Sequence, residues 1–261
     1  MIVGANDLNR IRIWELEAIL NEFPARADVL EIGAGTGVQA RYLQEHGYSV
    51  QAVDRRESGY RNYAHYARNR VFPVQEYEGE HLPVADASAD VVYTSHCLMY
   101  VRNLGSLSGE MRRVLRPGGY AVHVVPTVSW RFWTSLASFP MAAMALARAV
   151  AWSTWRPPRN HTRRGAWRDA LAAGYAALIQ PPLALGPHAG FELWRFRRGR
   201  WRRSFGENGF TVIRDRPVGM FGTGCLLFGS ALPAPKRQWL AKLLGSSSRV
   251  YCVRPQSGSG R

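Results

Sequence analysis

The stretch Val29-Leu30-Glu31-Ile32-Gly33-Ala34-Gly35-Thr36-Gly37 decides how the rest of the chain is read. The largely apolar run Val29 to Ile32 reads as a short buried strand, the glycines as a sharp turn, and Thr36 onward as the start of a helical pattern. Glycine suits such a turn because it tolerates positive φ and lets a ligand approach the backbone closely. The first N–H groups of the following helix have no intrahelical partner and point at whatever occupies the turn. A second apolar strand, Ser49 to Val53, ends at Asp54. A carboxylate at the tip of the second strand is where nucleotide-binding α/β sheets keep an acceptor for ribose hydroxyls. The alternation of Gly33, Gly35 and Gly37 is not the spacing of a dinucleotide fingerprint.

The chain has 261 residues, enough for one large domain or a domain with a modest cap, and its 46% hydrophobic share argues against global disorder. A net charge of +15, carried almost wholly by arginine (the lysines are Lys236 and Lys242), points to an anionic partner or surface. Cys97, Cys225 and Cys252 have neither disulfide-framework nor zinc-ligand spacing, so no metal is expected and a reducing cytoplasm fits best. The N-terminus lacks the basic-then-apolar pattern of a signal peptide, Arg10 and Arg12 falling inside a helical pattern.

Asp7 to Phe23 has apolar residues at helical spacing and reads as an amphipathic helix, packed against the sheet edge or over the ligand, with Pro24 ending it. Val38 to His46 is the first crossover helix, closed by Gly47. The arginine- and tyrosine-rich segment 55–70 reads as a solvated face, with Tyr60 or Tyr63 beside the ribose as the alternative. Further strands are expected at Val71 to Tyr77, Asp90 to Thr94 and Gly119 to Val125, with a helix at Leu104 to Leu115.

Three segments, in order and at matching intervals, carry a family resemblance. The glycine turn preceded by Glu31 resembles motif I of the class I S-adenosylmethionine-dependent methyltransferases. Leu82-Pro83-Val84-Ala85-Asp86-Ala87-Ser88-Ala89-Asp90-Val91-Val92 is similar to the family's "LPF-x-D-x-S-F-D-x-V" segment, and Arg113-Val114-Leu115-Arg116-Pro117-Gly118-Gly119 to its "R-V-L-K-P-G-G" turn. The resemblance covers roughly residues 28–125 and is closest to the type 11, ubiquinone- and menaquinone-biosynthesis-like subgroup. It implies an α/β fold: a Rossmann-like seven-stranded sheet, mostly parallel with the last strand antiparallel, flanked by helices. It also implies S-adenosylmethionine as cofactor, held by Glu31, Gly33, Ala34, Gly35, Gly37, Asp54, Glu78, Gly79 and Ser95, with Glu78 as acceptor for the adenine amino group. Many relatives read "S-x-V-L-E-H-V" after strand four; Met99 and Tyr100 stand here where Glu and His would be, so that base does not carry over. His96 is the catalytic candidate among the bases His96, His123, His161 and His188.

Beyond strand five the pattern changes. Residues 126–190 are expected to form a helical insertion or cap within a single domain spanning 1–254. The apolar stretch Ser135 to Trp152, interrupted by Pro140 and Arg148, falls short of the roughly 20 uncharged residues that span a bilayer. Its tryptophans and arginines fit a substrate cap, an interfacial membrane segment, or a partner surface. In Phe191 to Phe205 arginines alternate with aromatics, which suits phosphates or packed rings with solvated charges. Gly209 to Ile213 matches the entry to strand six. Gly222 to Gly229 is expected to be strand seven, antiparallel between strands five and six, followed by a helix at Lys236 to Leu244 and a disordered tail, 255–261.

The leading function is methylation of a small or amphipathic acceptor: cell-envelope glycan, lipid or secondary metabolite. The protein would be cytoplasmic, and peripheral at the inner face of an anionic membrane. An RNA methyltransferase is the second reading, although Ser95-His96-Cys97-Leu98 replaces the Asn/Asp-Pro-Pro-aromatic run of amino-directed enzymes. A catalytically silent cofactor-binding protein, acting as a membrane or assembly partner, is the third.

Overall fold

The computed structural model describes residues 5–56, 68–155, 162–223 and 227–256. Tyr60, Tyr63, His161, Cys225 and residues 257–261 of the expected tail lie outside them. A seven-stranded sheet runs in the order β3-β2-β1-β4-β5-β7-β6. Its strands are β1 (Asp28–Ile32), β2 (Ser49–Arg55), β3 (Gln75–Tyr77), β4 (Ala89–Ser95), β5 (Leu115–Pro126), β6 (Phe210–Pro217) and β7 (Ser248–Pro255). Pairings from β3 through β5 are parallel, and β7 runs antiparallel to both β5 and β6.

Helices cover both faces: α1 (Ala5–Glu17), α2 (Val38–Glu45), α3 (Leu104–Val114), α4 (Val128–Thr154), α5 (Arg163–Ile179), α6 (Ala189–Arg195), α7 (Arg198–Glu207) and α8 (Ala234–Leu244). Because successive strand side chains point to opposite faces, the parallel strands feed two cores. Leu30, Ile32 and Val92 pack with Leu107 and Met111 of α3 and Trp201 and Phe205 of α7. Val29, Val91, Tyr93, Val122 and Val124 pack with Leu16 and Ile19 on the α1 side and Leu43 of α2.

Several boundaries differ from the sequence reading. Strand seven is Ser248–Pro255, not 222–229. Among the described residues of 222–229, Gly229 opens a 3-10 turn, while Ser248–Pro255 carries four consecutive buried residues, Val250 to Val253. That strand also takes Pro255 out of the expected tail. Strand three shrinks to Gln75–Tyr77, because the Val71 N–H goes to the Thr36 carbonyl (2.9 Å) and Pro73 has no N–H to give. Strand five starts early, at Leu115, and absorbs the Pro-Gly-Gly turn through a register shift between Ala89 and Val91.

The largest correction is α4. It runs unbroken for 27 residues through Pro140, and by length and composition it is long and apolar enough to cross a membrane. Proline there removes one helical hydrogen bond without ending the helix. Arg148 lies over the Trp152 ring, 5.6 Å from its centroid.

The start of α4 is fixed by a buried ion pair. Arg131 (2% exposed) and Glu192 of α6 (0% exposed) meet at 2.7 Å. Glu192 also accepts from the N–H groups of Leu183 and Ala184, and Arg131 donates to the Pro181 carbonyl at 3.0 Å. Together they clamp the strap 181–187. Removing one partner of such a pair strands a buried charge. Glu192→Ala is expected to lower stability by roughly 3–5 kcal/mol in urea unfolding; an unchanged midpoint would mean that the pair is dispensable.

Candidate active site

The glycine turn sits at the C-terminal end of β1, beside the ends of β2 and β4. Gly33, Gly35 and Gly37 all have positive φ (+79°, +57° and +73°). A Cβ on Gly33 would stand 2.6 Å from Cys97 Cβ, so the turn and the loop after β4 touch in a way that only glycine permits. The Gly33 N–H closes on the Val53 carbonyl at 2.9 Å. Gly37 caps α2 in the left-handed region, against Phe72 and Val74.

These elements frame a cavity of about 230 Å³. Of the residues singled out in the sequence, Gly33, Ala34, Gly35, Asp54, Gly79, Ser95 and His96 line it together. Glu31, Gly37 and Glu78 do not. Glu31 is buried beneath the turn, Gly37 starts α2, and the exposed side chain of Glu78 pairs with Arg56 Nη1 at 3.0 Å. Its neighbour Glu80 lines the cavity and accepts from Asn103 Nδ2 at 3.1 Å.

Sequence reasoning left the placement of α1 open and assigned none of its cavity-lining residues to the site. Leu8, Asn9 and Arg12 line the cavity, so of the two placements open to this helix the structure has the one over the cavity. Gln39 of α2 ties it down, donating to the Arg12 carbonyl at 3.1 Å and to Tyr93 Oη at 2.8 Å. The available signal was Asn9 and Arg12 on a helix otherwise patterned for packing.

Asp54 accepts from the Gly35 N–H at 3.0 Å and from its own neighbour's, Arg55, at 2.9 Å. Burial raises its carboxyl against the pull of those bonds. Glu31 is pushed up to about 8, first by burial, opposed by the Ala40 N–H, and further by the charge of Asp54. One of its oxygens, Oε2, has no hydrogen-bond partner among the described residues. Burial also lifts the Cys97 thiol to about 12, so it is not a nucleophile at neutral pH.

His96 is the most constrained group at the cavity wall. Its backbone is left-handed (φ +52°), uncommon for a non-glycine residue. Nε2 lies 3.2 Å from Glu15 Oε2 and 3.3 Å from Ser248 Oγ, while Nδ1 is buried without a partner among the described residues. Burial alone would raise the Glu15 carboxyl, but His96, Arg12 at 2.6 Å and a hydrogen bond from Ser248 together hold it well below the carboxylate range. Burial, then the Arg12 charge, push His96 below its ordinary 6.5, with Glu15 opposing. The ring is therefore neutral near pH 7, with the Nε2 proton directed at Glu15 and a lone pair on Nδ1. Of the other candidate bases, His123 is buried, bonded to Thr94 Oγ1 at 2.8 Å, stacked on Phe205 and pushed down to about 3; His188 caps α6. Both are structural.

The comparisons agree with this geometry. Residues 30–123 match the family model described as "Methyltransferase domain". A malonyl-(acyl-carrier protein) O-methyltransferase of Pectobacterium atrosepticum is 34% identical over 40% of this chain and 41% of its own length. A thiol S-methyltransferase of Rattus norvegicus, TMT1B, is 29% identical over 68% of this chain and 72% of its own. The chain matches only about two fifths, or less, of the first such relatives' length. Among solved structures, the complex between the Haloferax volcanii Trm112 methyltransferase activator and a methyltransferase aligns with a TM-score of 0.55 at 13% identity, over 98% of this chain and 96% of that one. At that identity the likeness shows the fold alone. Residues 30–123 are a methyltransferase domain, and its cofactor is S-adenosylmethionine. The residues fit that cofactor: an open glycine turn, Asp54 at the tip of β2, and an unpartnered buried imidazole nitrogen at the wall.

Glu31 supplies a test. Its folded value lies above its unfolded one, so the folded state keeps a proton that the unfolded chain releases. The stability this gives is full below about 4.5 and is lost as pH rises through about 8. Glu31→Gln is expected to flatten that decline and to melt above the native protein at pH 8; parallel melting curves across the window would contradict it.

Proposed function

We propose that the protein transfers a methyl group from S-adenosylmethionine to a small or amphipathic acceptor, of the cell-envelope glycan, lipid or secondary-metabolite kind, at the inner face of a membrane. Gly33, Ala34, Gly35, Asp54, Gly79 and Ser95 hold the cofactor, with Glu31 supporting the turn from beneath. Gly37 and Glu78 stay in the proposed set, as helix cap and rim. When bound, the cofactor supplies a methyl carbon activated by a sulfonium sulfur. The protein's part is to align the acceptor and to keep water out.

The observation that carries the reading is His96. Its Nδ1 lone pair takes the acceptor's proton, and Glu15 acts as a positioning residue that fixes the tautomer through Nε2. An acceptor hydroxyl or carbon needs such a base, whereas an amine or thiol needs it less. Relatives with acyl-carrier-protein and thiol acceptors in their names are in keeping with small or carrier-bound acceptors. The segment 126–190 serves as the cap. Its strap is tied to the cavity loop by the Leu185 N–H, which bonds the Met99 carbonyl at 3.2 Å. The arginine run that would favour RNA is partly engaged: Arg198, Arg202 and Arg249 converge on Asp215 (2.7, 3.2 and 3.3 Å).

Protein incubated with methyl-labelled S-adenosylmethionine and a fractionated host lysate should place label in the lipid, glycan or small-molecule fraction. Label in RNA alone, or none anywhere, would overturn the reading. With the acceptor so identified, His96→Gln should lose about 10²–10⁴-fold in turnover while still binding cofactor. The native rate should fall as pH drops through the depressed His96 value. Glu15→Gln removes the charge that opposes this depression, so its acid limb should move lower still. Full turnover by His96→Gln would exclude the base.

A further inference from the structure

The sequence reading offered an interfacial membrane segment in the insertion after strand five, and phosphate contact or ring packing for Phe191 to Phe205; the structure uses the latter stretch chiefly for packing. Phe196, Trp201 and Phe205 are core residues, Arg200 covers Trp194, and Asp215 engages Arg198 and Arg202. Among the described residues, the exposed apolar side chains gather most densely on α4 and α5. Along α4, Phe132, Leu136, Phe139, Ala143, Leu146 and Val150 recur at helical spacing, and all are exposed. The larger five are 48–51% exposed. No acidic residue occurs in α4, and its arginines are off this stripe: Arg131 is buried against Glu192 and Arg148 covers Trp152. Along α5, Trp167, Leu171, Tyr175 and Leu178 form a matching exposed stripe, up to 78% open at Leu178. It begins among the exposed arginines Arg163, Arg164 and Arg168. The two helices pack on each other through small side chains, Ala145 and Ala149 against Ala166 and Ala170 with Trp152 and Ala173 at the margin, which leaves the large side chains of both stripes facing out.

We infer that the α4–α5 hairpin is a lipid-embedded interfacial element that seats the protein on an anionic bilayer. A contiguous apolar face of this extent marks an interaction site. The occupant is lipid because the face is apolar from end to end and edged by arginine and tryptophan, the residues suited to anionic headgroups. The hairpin dips into one leaflet and does not span it. α4 leaves directly from β5, and the end of α5 is pinned back onto the first half of α4, where Gln180 Nε2 donates to Ser138 Oγ at 2.8 Å. Both ends therefore stand on the protein's side of the membrane. The strap that follows α5 contacts the cavity loop, so an acceptor with an acyl chain reaches the site without leaving the leaflet.

The test is flotation of the full-length protein with phosphatidylcholine vesicles, with and without phosphatidylglycerol. The native protein should float with the anionic vesicles and stay bound in high salt, because burial rather than charge holds it. Leu136→Ser, Phe139→Ser, Leu146→Ser and Val150→Ser combined should weaken binding by about tenfold or more. Arg198→Ser with Arg202→Ser should leave it unchanged. Calorimetric binding of S-adenosylhomocysteine shows that each variant is folded; should the combined one not be, Leu136→Ser with Leu146→Ser replaces it. Native protein that never floats, serine variants that float like it, or a native dimer that those substitutions dissolve would each overturn the inference, the last by giving the face to a second copy. Vesicle binding is scored without acceptor, so its failure is distinct from a failure of methyl transfer.

Discussion

Everything at the site depends on how closely two backbone turns approach at the C-terminal edge of the sheet. Gly33 is pressed against Cys97, with no room for a Cβ between them. That contact sets the loop after β4 against the turn after β1, where chain direction diverges on either side of β1 in the strand order. Asp54 enters the gap from β2, with its carboxylate on the Gly35 N–H. The cavity follows from these three strand ends and from α1, which closes it.

Electrostatics then separates the groups by role. Burial raises two carboxyls close to the cavity, and their neighbours then drive them apart: Glu31, with only one backbone donor and the like charge of Asp54, holds a proton, whereas Glu15, facing His96, Arg12 and Ser248, keeps its charge. The ionised Glu15 fixes the proton on His96 Nε2 and leaves Nδ1 bare. A base that is both neutral and oriented is what proton abstraction needs in a site that excludes water. The tether between α1 and the start of β7, Glu15 to Ser248, thus links the helix over the cavity to the antiparallel strand that closes the sheet.

How much could be read in advance follows the range of the interactions. The strands around the glycine turn were legible because apolar runs punctuated by glycine report local structure, and the sheet order came with the resemblance. Strand seven was misplaced because Gly222 to Gly229 and Ser248 to Pro255 offer similar apolar runs, and only pairing with β5 and β6 chooses between them. Pro140 and Arg148 suggested interruption, but the cost of one proline is met where α4 is held at its base and packed along α5. Seven of the proposed site residues share the cavity because they stand at strand ends, which sequence spacing locates. Glu78 turned outward because Arg56 competes for it, and Glu15 was invisible because its partners, His96 and Ser248, are distant in sequence.

We propose the strand-end cavity as the cofactor site and Asp54 as its anchoring carboxylate. Calorimetric titration of S-adenosylhomocysteine into the native protein and Asp54→Ala tests it most directly. Saturable one-to-one binding is expected, weakened by about 1–3 kcal/mol in the variant, the scale of a hydrogen bond to a charged group. Equal affinity in the two proteins would contradict it.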